Sequence, residues 1–245
     1  MTARLLVLDA ATETLHLGLT VDGRQRLRAL PGGARASAAL LPGLLELLRE
    51  AGIELAQLDA IGFGRGPGAF TGVRAACAVT QGLALGAALP VLALDTLLAV
   101  AEDARQQGAV GDLWVAVDAR MGETYAAHFR HDGVHWLELA APALHDPATL
   151  ARHVAAGPQR PAVAGSSLLA HAGAWADVRT PCWPHAAPRA AALIALALAA
   201  WARGEGLDAA QALPLYVRDK VAQTTAERGA ARAEAAALAG AERAV

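Results

Sequence analysis

The sequence has few cysteines, few aromatic residues and little net charge. Of 245 residues, two are cysteines, and aromatic side chains make up 4%. Cys77 and Cys182 form no CxxC pair, so we expect no disulfide framework and a reducing cytoplasm. The net charge of −2 supplies no basic field for nucleic acid. We therefore expect no binding of nucleic acid by this chain alone.

Long uninterrupted apolar runs are also missing. The N-terminal stretch MTARLLVLDA reaches Asp9 after a short apolar run, so we predict no signal peptide. Of two alanine-rich stretches, 73–89 is broken by Arg74 and Gln81, and 190–202 is short of the roughly 20 residues that span a membrane. We predict both to be buried helices and expect no membrane partner.

One pattern occurs twice, in residues 5–23 and 113–133. Each copy begins with an apolar strand that ends in Asp-Ala, at Asp9 and Asp118. In each copy, Glu-Thr is followed after seven residues by Asp-Gly, a strong hairpin signal. A third strand, a helix and a fourth strand follow. This tandem β-β-β-α-β unit predicts an α/β protein with the duplicated RNase H-like fold of the actin, sugar-kinase and Hsp70 type. Two unrelated hairpins are the alternative.

The repeat divides the chain into three parts. We predict a first half over 1–108 and a second half over 109–225, with the apolar helix 188–203 packing back on the first half. Residues 226–245 contain Ala, Glu and Arg but almost nothing large to bury. Such a composition predicts a poorly ordered tail.

A glycine-rich turn, GFGRGPGAFTGVR over 62–74, lies between a predicted strand and a predicted helix. It lacks the Lys-Ser/Thr of a Walker A loop. It does fit GxGxxA, which makes a dinucleotide-dependent oxidoreductase a distant alternative. Because Pro67 removes a backbone N–H that a pyrophosphate would need, a sharp turn into a closely packed helix is favoured. The motif residues are Gly64, Gly66, Pro67, Gly68, Thr71, Gly72 and Arg74.

Asp9 and Asp118 end strands at the predicted cleft. In phosphotransferases of this fold such an aspartate positions Mg²⁺ or activates water. The turn after Asp9, which contains Thr12, has no glycine for close approach of a phosphate. Asp9, Thr12 and Asp118 are therefore weak candidates for nucleotide binding, and a structural role for Asp9 is an equal alternative. A stand-alone ATPase or phosphotransferase using both aspartates is the alternative function.

The remaining histidines and serines give little indication of a functional site. His131 and His135 have the spacing of a helical metal pair but flank a predicted Asp-Gly turn, so we predict them, together with His128, to be surface side chains, and we predict no metal site. Ser166 and Ser167 follow a predicted strand and are expected to cap a helix.

Two predicted helices of the first half, 35–51 and 71–88, are apolar on nearly every side. Such helices are buried on more than one side, and a sheet covers only one of them. We predict that a partner protein covers the other, with a helix enclosed in its own subunit as the alternative. The predicted interface residues are Leu40, Leu41, Leu44, Leu48, Val73, Ala76, Cys77 and Thr80.

Four stretches together resemble the TsaB (YeaZ) family of partner subunits in threonylcarbamoyladenosine modification of bacterial tRNA. They are GRGPGAFTGVR (64–74), QGLALGAALPVLALDTL (81–97), VAVDARMGETYAA (115–127) and LYVRDKVA (215–222). The resemblance runs in order over about residues 4–228. It implies the duplicated actin-like fold and a non-catalytic paralogue of the transferase TsaD.

The resemblance also implies partners. TsaB pairs with TsaD through the first two helices of each, and the ATPase TsaE joins the complex. We expect a homodimer through the same surface when the chain is alone, and contact with tRNA only through the complex. No cofactor is expected, and whether a nucleotide lies at the complex interface is left open.

The sequence separates this chain from TsaD and departs from TsaB at two positions. TsaD-like proteins carry a metal-binding His-x-x-x-His where this chain has Thr96 and Val100, which disfavours the catalytic paralogue. Many TsaB members have His-Ser at the start of the first helix and Ser in the glycine turn, where this chain has Ala36 and Ala69. The second departure leaves Thr71 as the candidate cap of the helix.

Overall fold

Residues 3–157 and 161–218 are described by a computed structural model, and they contain two five-stranded sheets. The elements of the first repeat are β1 (Leu5–Asp9), β2 (Thr14–Val21), β3 (Arg24–Pro31), α1 (Ala36–Ala51), β4 (Ala60–Gly64), α2 (Phe70–Ala87), β5 (Val91–Leu94) and α3 (Thr96–Gln106). Those of the second are β6 (Asp112–Arg120), β7 (Glu123–His131), β8 (Trp136–His145), α4 (Pro147–Ala156), β9 (Ala162–Ala164), α5 (Ser167–Ala170), α6 (Ala172–Trp175), β10 (Cys182–Trp183) and α7 (Ala190–Ala202).

The two sheets share one topology. The first has the order β3-β2-β1-β4-β5 and the second the order β8-β7-β6-β9-β10. In each, the first strand of the repeat pairs antiparallel with the second and parallel with the fourth. The prediction of a duplicated RNase H-like α/β fold is therefore confirmed.

The first hairpin forms for the reason that its turn residues predict. Val21 pairs with Arg24, which leaves Asp22 and Gly23 as a two-residue loop. Their φ angles are 51° and 78°. A positive φ at both loop positions matches the right-handed twist of the strands, and aspartate and glycine tolerate it better than most residues.

The central strand β1 is buried on both faces. Leu6 and Leu8 pack in a core with α1 and α2, whereas Leu5 and Val7 pack with Leu193 of α7. Successive residues of a strand point to opposite faces, so β1 joins two cores. The helix α7 thus lies against the first sheet, although it follows the strands of the second.

Neither alanine-rich stretch crosses a membrane in this fold. They correspond to α2 and α7, and no helix within the described ranges is long and apolar enough to be a membrane span. The predicted tail over 226–245 lies outside the described residues.

Adjacent leucines of α1 provide a test of this packing. Leu44 is fully buried and Leu45 is 48% exposed. We expect Leu44→Ala to lower the free energy of unfolding by about 3 kcal/mol, because it leaves a cavity in the core. The matched control Leu45→Ala should change it by about 0.5 kcal/mol or less. Urea unfolding measures both, and equal losses would contradict the assigned helix orientation.

Candidate functional site

A cleft of about 570 Å³ lies where the two repeated hairpin turns meet. The first half contributes residues 11–14 and the start of α2, and the second half contributes residues 117–121. Thr12 and Asp118 both line this cleft, whereas Asp9 does not. The duplicated fold thus brings two of the three candidate residues to one place.

Asp9 is enclosed at the end of β1. One carboxylate oxygen accepts a hydrogen bond from the Ala11 backbone N–H at 2.8 Å, and the other accepts from the Thr96 hydroxyl at 2.7 Å. The Thr96 Oγ1 in turn accepts the Gly66 N–H at 3.1 Å. Asp9 therefore joins β1 to α3 and to the glycine turn. Fully buried and with both oxygens occupied, it is arranged as a structural residue rather than as a ligand of Mg²⁺.

Gly64 makes room for this carboxylate. A Cβ atom at position 64 would lie 1.8 Å from Asp9 Oδ2, closer than atoms approach. Similar contacts hold α2 to the turn after β1, since a Cβ at Gly72 would lie 1.8 Å from the Ala10 carbonyl oxygen. The glycines thus serve a sharp turn into a closely packed helix.

We expect Gly64→Ala to lower the free energy of unfolding by about 3 kcal/mol, because the methyl group must displace the buried carboxylate from its hydrogen bonds. The control is Gly86→Ala within α2, where an added Cβ meets nothing within 4 Å. Alanine is the better helix former by about 0.5–1 kcal/mol, so this control should be slightly stabilised. Thermal unfolding of both variants is the measurement, and an unaffected Gly64→Ala protein would refute the contact.

Burial raises the pKa of Asp9 from its ordinary 3.8 to about 6, against the opposing effect of its hydrogen bonds from Ala11 and Thr96. The folded state therefore binds this proton at a higher pH than the unfolded chain. The resulting stabilisation is fully present below pH 3.8 and is lost as the pH rises through about 6.

We accordingly expect the wild type to gain about 2 kcal/mol of stability relative to Asp9→Asn when the pH falls from 7 to 4. The opposite shift of His16, whose pKa burial lowers to about 4, is present in both proteins and cancels. Urea titrations of both proteins at the two pH values give the difference. If the difference in free energy of unfolding between the two proteins were the same at both pH values, the pKa of Asp9 would not be raised by burial.

Asp118 lies at the equivalent position of the second half but is more open. Its Oδ1 accepts the Arg120 backbone N–H at 3.0 Å, and His171 Nε2 lies 3.3 Å from the same oxygen without hydrogen-bond geometry. The Arg120 guanidinium also reaches Glu13 across the cleft at 2.7 Å. Both partners of that pair are exposed, so it adds at most about 1 kcal/mol. Asp118 is thus already surrounded by basic groups of its own chain.

Thr12 and His16 complete the cleft wall from the first half. The Thr12 hydroxyl is used locally, since it donates to the Thr14 carbonyl at 2.9 Å. His16 is 7% exposed and lines the cleft. Its burial and the nearby Arg189 charge lower its pKa to about 4, so its ring is neutral at pH 7. Its position in β2 opposite Asp9 gave no functional signal in the sequence.

The C-terminal segment, residues 212–218, reaches the cleft through Arg218, which the sequence analysis did not predict as a site residue. Leu215 N–H donates to the Arg65 carbonyl at 2.7 Å, and Arg74 Nε donates to the Tyr216 hydroxyl at 2.8 Å. Arg218 donates to Glu123 at 2.6 Å. The segment therefore connects the start of α2 with the second sheet. The stretch Leu-Tyr-Val-Arg over 215–218 was noted only as part of the family resemblance.

Other motif residues are placed as follows. Thr71 is exposed, and no side chain caps α2, so the expectation that Thr71 caps this helix was wrong. Ser166 does not cap α5 either; its Oγ accepts the Asp118 N–H at 3.1 Å. Ser167 is hydrogen-bonded to Thr124 and Trp175 inside the second half.

His128 is a further correction. Its ring is mostly buried and stacks on Trp114, with centroids 4.8 Å apart and planes 7° apart. It therefore belongs to the sheet's packing and is not the surface histidine predicted from sequence. His131 and His135 flank the Asp132-Gly133 turn as expected. The described residues contain no cluster of three or more His, Cys, Asp or Glu that could hold a metal ion.

The structure corrects the selection of partner-facing residues on α1 and α2. Seven of the eight predicted side chains lie in this chain's own core: Leu40, Leu44, Leu48, Val73, Ala76, Cys77 and Thr80. Only Leu41 among the eight is exposed, at 40%. These seven side chains pack inside the first half. Both helices have apolar residues on nearly every side, so the sequence pattern could not show which side faces the core. That the helices bind a partner stays a prediction.

This chain is similar in sequence and in structure to known proteins. A family model described as TsaD, tRNA N6-adenosine threonylcarbamoyltransferase, matches residues 33–172. The TsaB protein of Escherichia coli is 29% identical over 89% of this chain and 96% of its own length, and that of Haemophilus influenzae is 40% identical over about half of each chain. A solved structure of YeaZ from Pseudomonas aeruginosa is 37% identical, with a TM-score of 0.77, over 87% of this chain and 99% of that one. This chain belongs to the TsaB (YeaZ) family. The resemblance found in the sequence is thereby confirmed.

Thr96 and Val100 stand at the two positions where the resemblance led us to expect histidines in TsaD-like proteins. Both are buried in α3. Thr96 is engaged by Asp9, and Val100 lines the cleft. The first therefore supplies a structural hydroxyl group and the second an apolar part of the cleft wall.

Proposed function

We propose that this chain acts in tRNA threonylcarbamoyladenosine biosynthesis as a non-catalytic partner subunit of a TsaD-type transferase. Two relatives, one similar over 89% of this chain and the other over 49% of it, carry the name tRNA threonylcarbamoyladenosine biosynthesis protein TsaB. In this proposal the TsaE-type ATPase and the tRNA meet the chain within the complex, and the chain alone forms a homodimer. The proposal assigns no cofactor to this chain, and a nucleotide at the complex interface stays the open alternative.

The observation that carries the proposal is an apolar surface on the first two helices, which we call the α1–α2 face. It consists of the exposed residues Ala38, Leu41, Pro42, Leu45, Ala78, Gly82 and Leu85. Leu45 is 48% exposed and Leu85 62%. Ala78 and Gly82 lie one turn apart on α2, and such small residues let a second helix approach closely. Exposed apolar side chains on two helices that pack against each other favour a protein interface here.

The cleft supports the non-catalytic part of the proposal. Asp9, which a phosphotransferase would use for Mg²⁺, is enclosed and hydrogen-bonded through both oxygens. Asp118 is flanked by Arg120 and His171. A stand-alone ATPase or phosphotransferase is therefore not favoured by this arrangement.

We expect Leu45→Glu combined with Leu85→Glu to weaken binding of the cognate TsaD-type transferase by at least thirtyfold, about 2 kcal/mol, because two charges would be buried without partners. The measurement is the Kd by calorimetry, followed by a tRNA modification assay with the complete set of proteins. Both leucines are exposed, so the fold should be retained.

The control is Val134→Glu, which makes one substitution of the same kind, an apolar residue to glutamate, at a 75% exposed position of the β7–β8 hairpin. It should bind the transferase normally. If the double variant bound as tightly as this control, the α1–α2 face would not be the interface. If neither the wild type nor the control bound the transferase, the partner role itself would be wrong.

A further inference from the structure

A second cavity of about 220 Å³ lies between α3, the end of α7 and the β7–β8 hairpin. It shares no lining residue with the cleft. Its polar lining includes Arg65, Asp95, Glu138 and Arg203, and the ring of Trp136 forms part of its apolar wall. Both halves of the chain therefore contribute to it.

Arg65 is the unexplained residue of this cavity. Its Nε is fully buried and has no hydrogen-bond partner among the described residues, and no ion pair of its guanidinium is found in that part of the chain. The backbone at this position is held firmly, since Arg65 N–H donates to Leu94 and its carbonyl accepts from Leu215. The Arg65 charge lowers the pKa of the nearby Asp95 carboxyl, but no hydrogen bond joins the two side chains. A guanidinium whose Nε has no hydrogen-bond partner among the described residues is suited to a bidentate carboxylate.

Two carboxylates complement this cation. Asp95 uses Oδ1 to accept the N–H groups of Leu97 and Leu98, which leaves its Oδ2 without a partner among the described residues. The side chain of Glu138 likewise makes no hydrogen bond within the described ranges, and its charge raises the pKa of Asp95. The remaining charges at the rim, Arg203 and Glu205, pair with each other.

The charge and size of the cavity define the class of ligand. One unpaired cation and two unpaired carboxylates disfavour a phosphate or another polyanion and favour a group that carries both signs. The volume is below the roughly 300–1,000 Å³ of sites for drug-sized molecules. The remaining wall is apolar and includes Leu98, Phe129 and Leu196.

We propose that this cavity binds a small α-amino acid with an apolar side chain. Its carboxylate pairs with Arg65, its ammonium group lies between Asp95 and Glu138, and its side chain contacts Trp136. This site does not depend on the partner role proposed above.

The test uses the full chain and L-leucine as the probe, measured by calorimetry at pH 8. Burial raises the pKa of Asp95 to about 6, so that carboxyl is ionised at this pH. We expect saturable binding of L-leucine. L-leucinamide, which lacks the carboxylate, and N-acetyl-L-leucine, which lacks the ammonium group, should each bind at least tenfold more weakly.

Variants locate the site. Arg65→Gln and Glu138→Gln should each weaken binding of L-leucine at least tenfold, while Arg24→Gln, a change at an exposed arginine of the first hairpin, should not. Absence of binding to the wild type would overturn the proposal, as would unchanged binding to folded Arg65→Gln. Should Arg65→Gln fail to fold, Glu138→Gln decides, because Glu138 is exposed.

Failure here is distinguishable from failure of the proposed function. Arg65→Gln leaves the α1–α2 face intact, so its affinity for the TsaD-type transferase should equal that of the wild type. The Leu45→Glu and Leu85→Glu changes lie outside the cavity, so that double variant should bind L-leucine normally.

Discussion

The structure of the first half depends on one enclosed carboxylate. Asp9 ends the central strand β1 and accepts hydrogen bonds from the turn after it and from the first residue of α3. Through Thr96 the same network reaches the glycine turn at Gly66. Burying a carboxylate is costly unless hydrogen bonds compensate for the lost hydration. Here the compensating hydrogen bonds connect the end of β1, the start of α3 and the glycine turn, which are distant in sequence. Gly64 has no side chain because this group occupies the space.

The same network keeps the aspartate of the first strand out of the cleft. An aspartate at the end of the first strand could face the cleft, but here Thr96 engages it and the packed turn covers it. Asp118, its counterpart, has Arg120 and His171 beside it. Duplication thus preserved the topology of the two halves while their two aspartates came to lie in different environments.

The halves are joined by segments late in the chain. Helix α7 packs on the first sheet, where Leu193 meets Leu5 and Val7. The C-terminal segment then runs from Cys77 and Gln81 of α2, which donate to the Ala212 carbonyl, to the second sheet. Its Arg218 lines the cleft, and its Tyr216 accepts a hydrogen bond from Arg74 near the N-terminal end of α2. Any partner that binds α2 contacts a helix already connected to both sheets.

The sequence alone determined the architecture and the family. The tandem hairpins, the Asp-Gly turns and the motif series are local patterns, so they can be recognised along the chain without knowing which residues are in contact. It could not determine which sides of α1 and α2 are exposed. Both helices are apolar on nearly every side, so only their contacts with the sheet and with each other assign Leu44 to the core and Leu45 to the surface. Tertiary structure likewise enclosed Asp9, stacked His128 on Trp114 and left Arg65 unpaired in a cavity. Each of these outcomes depends on residues far apart in the chain, whose proximity no local pattern records.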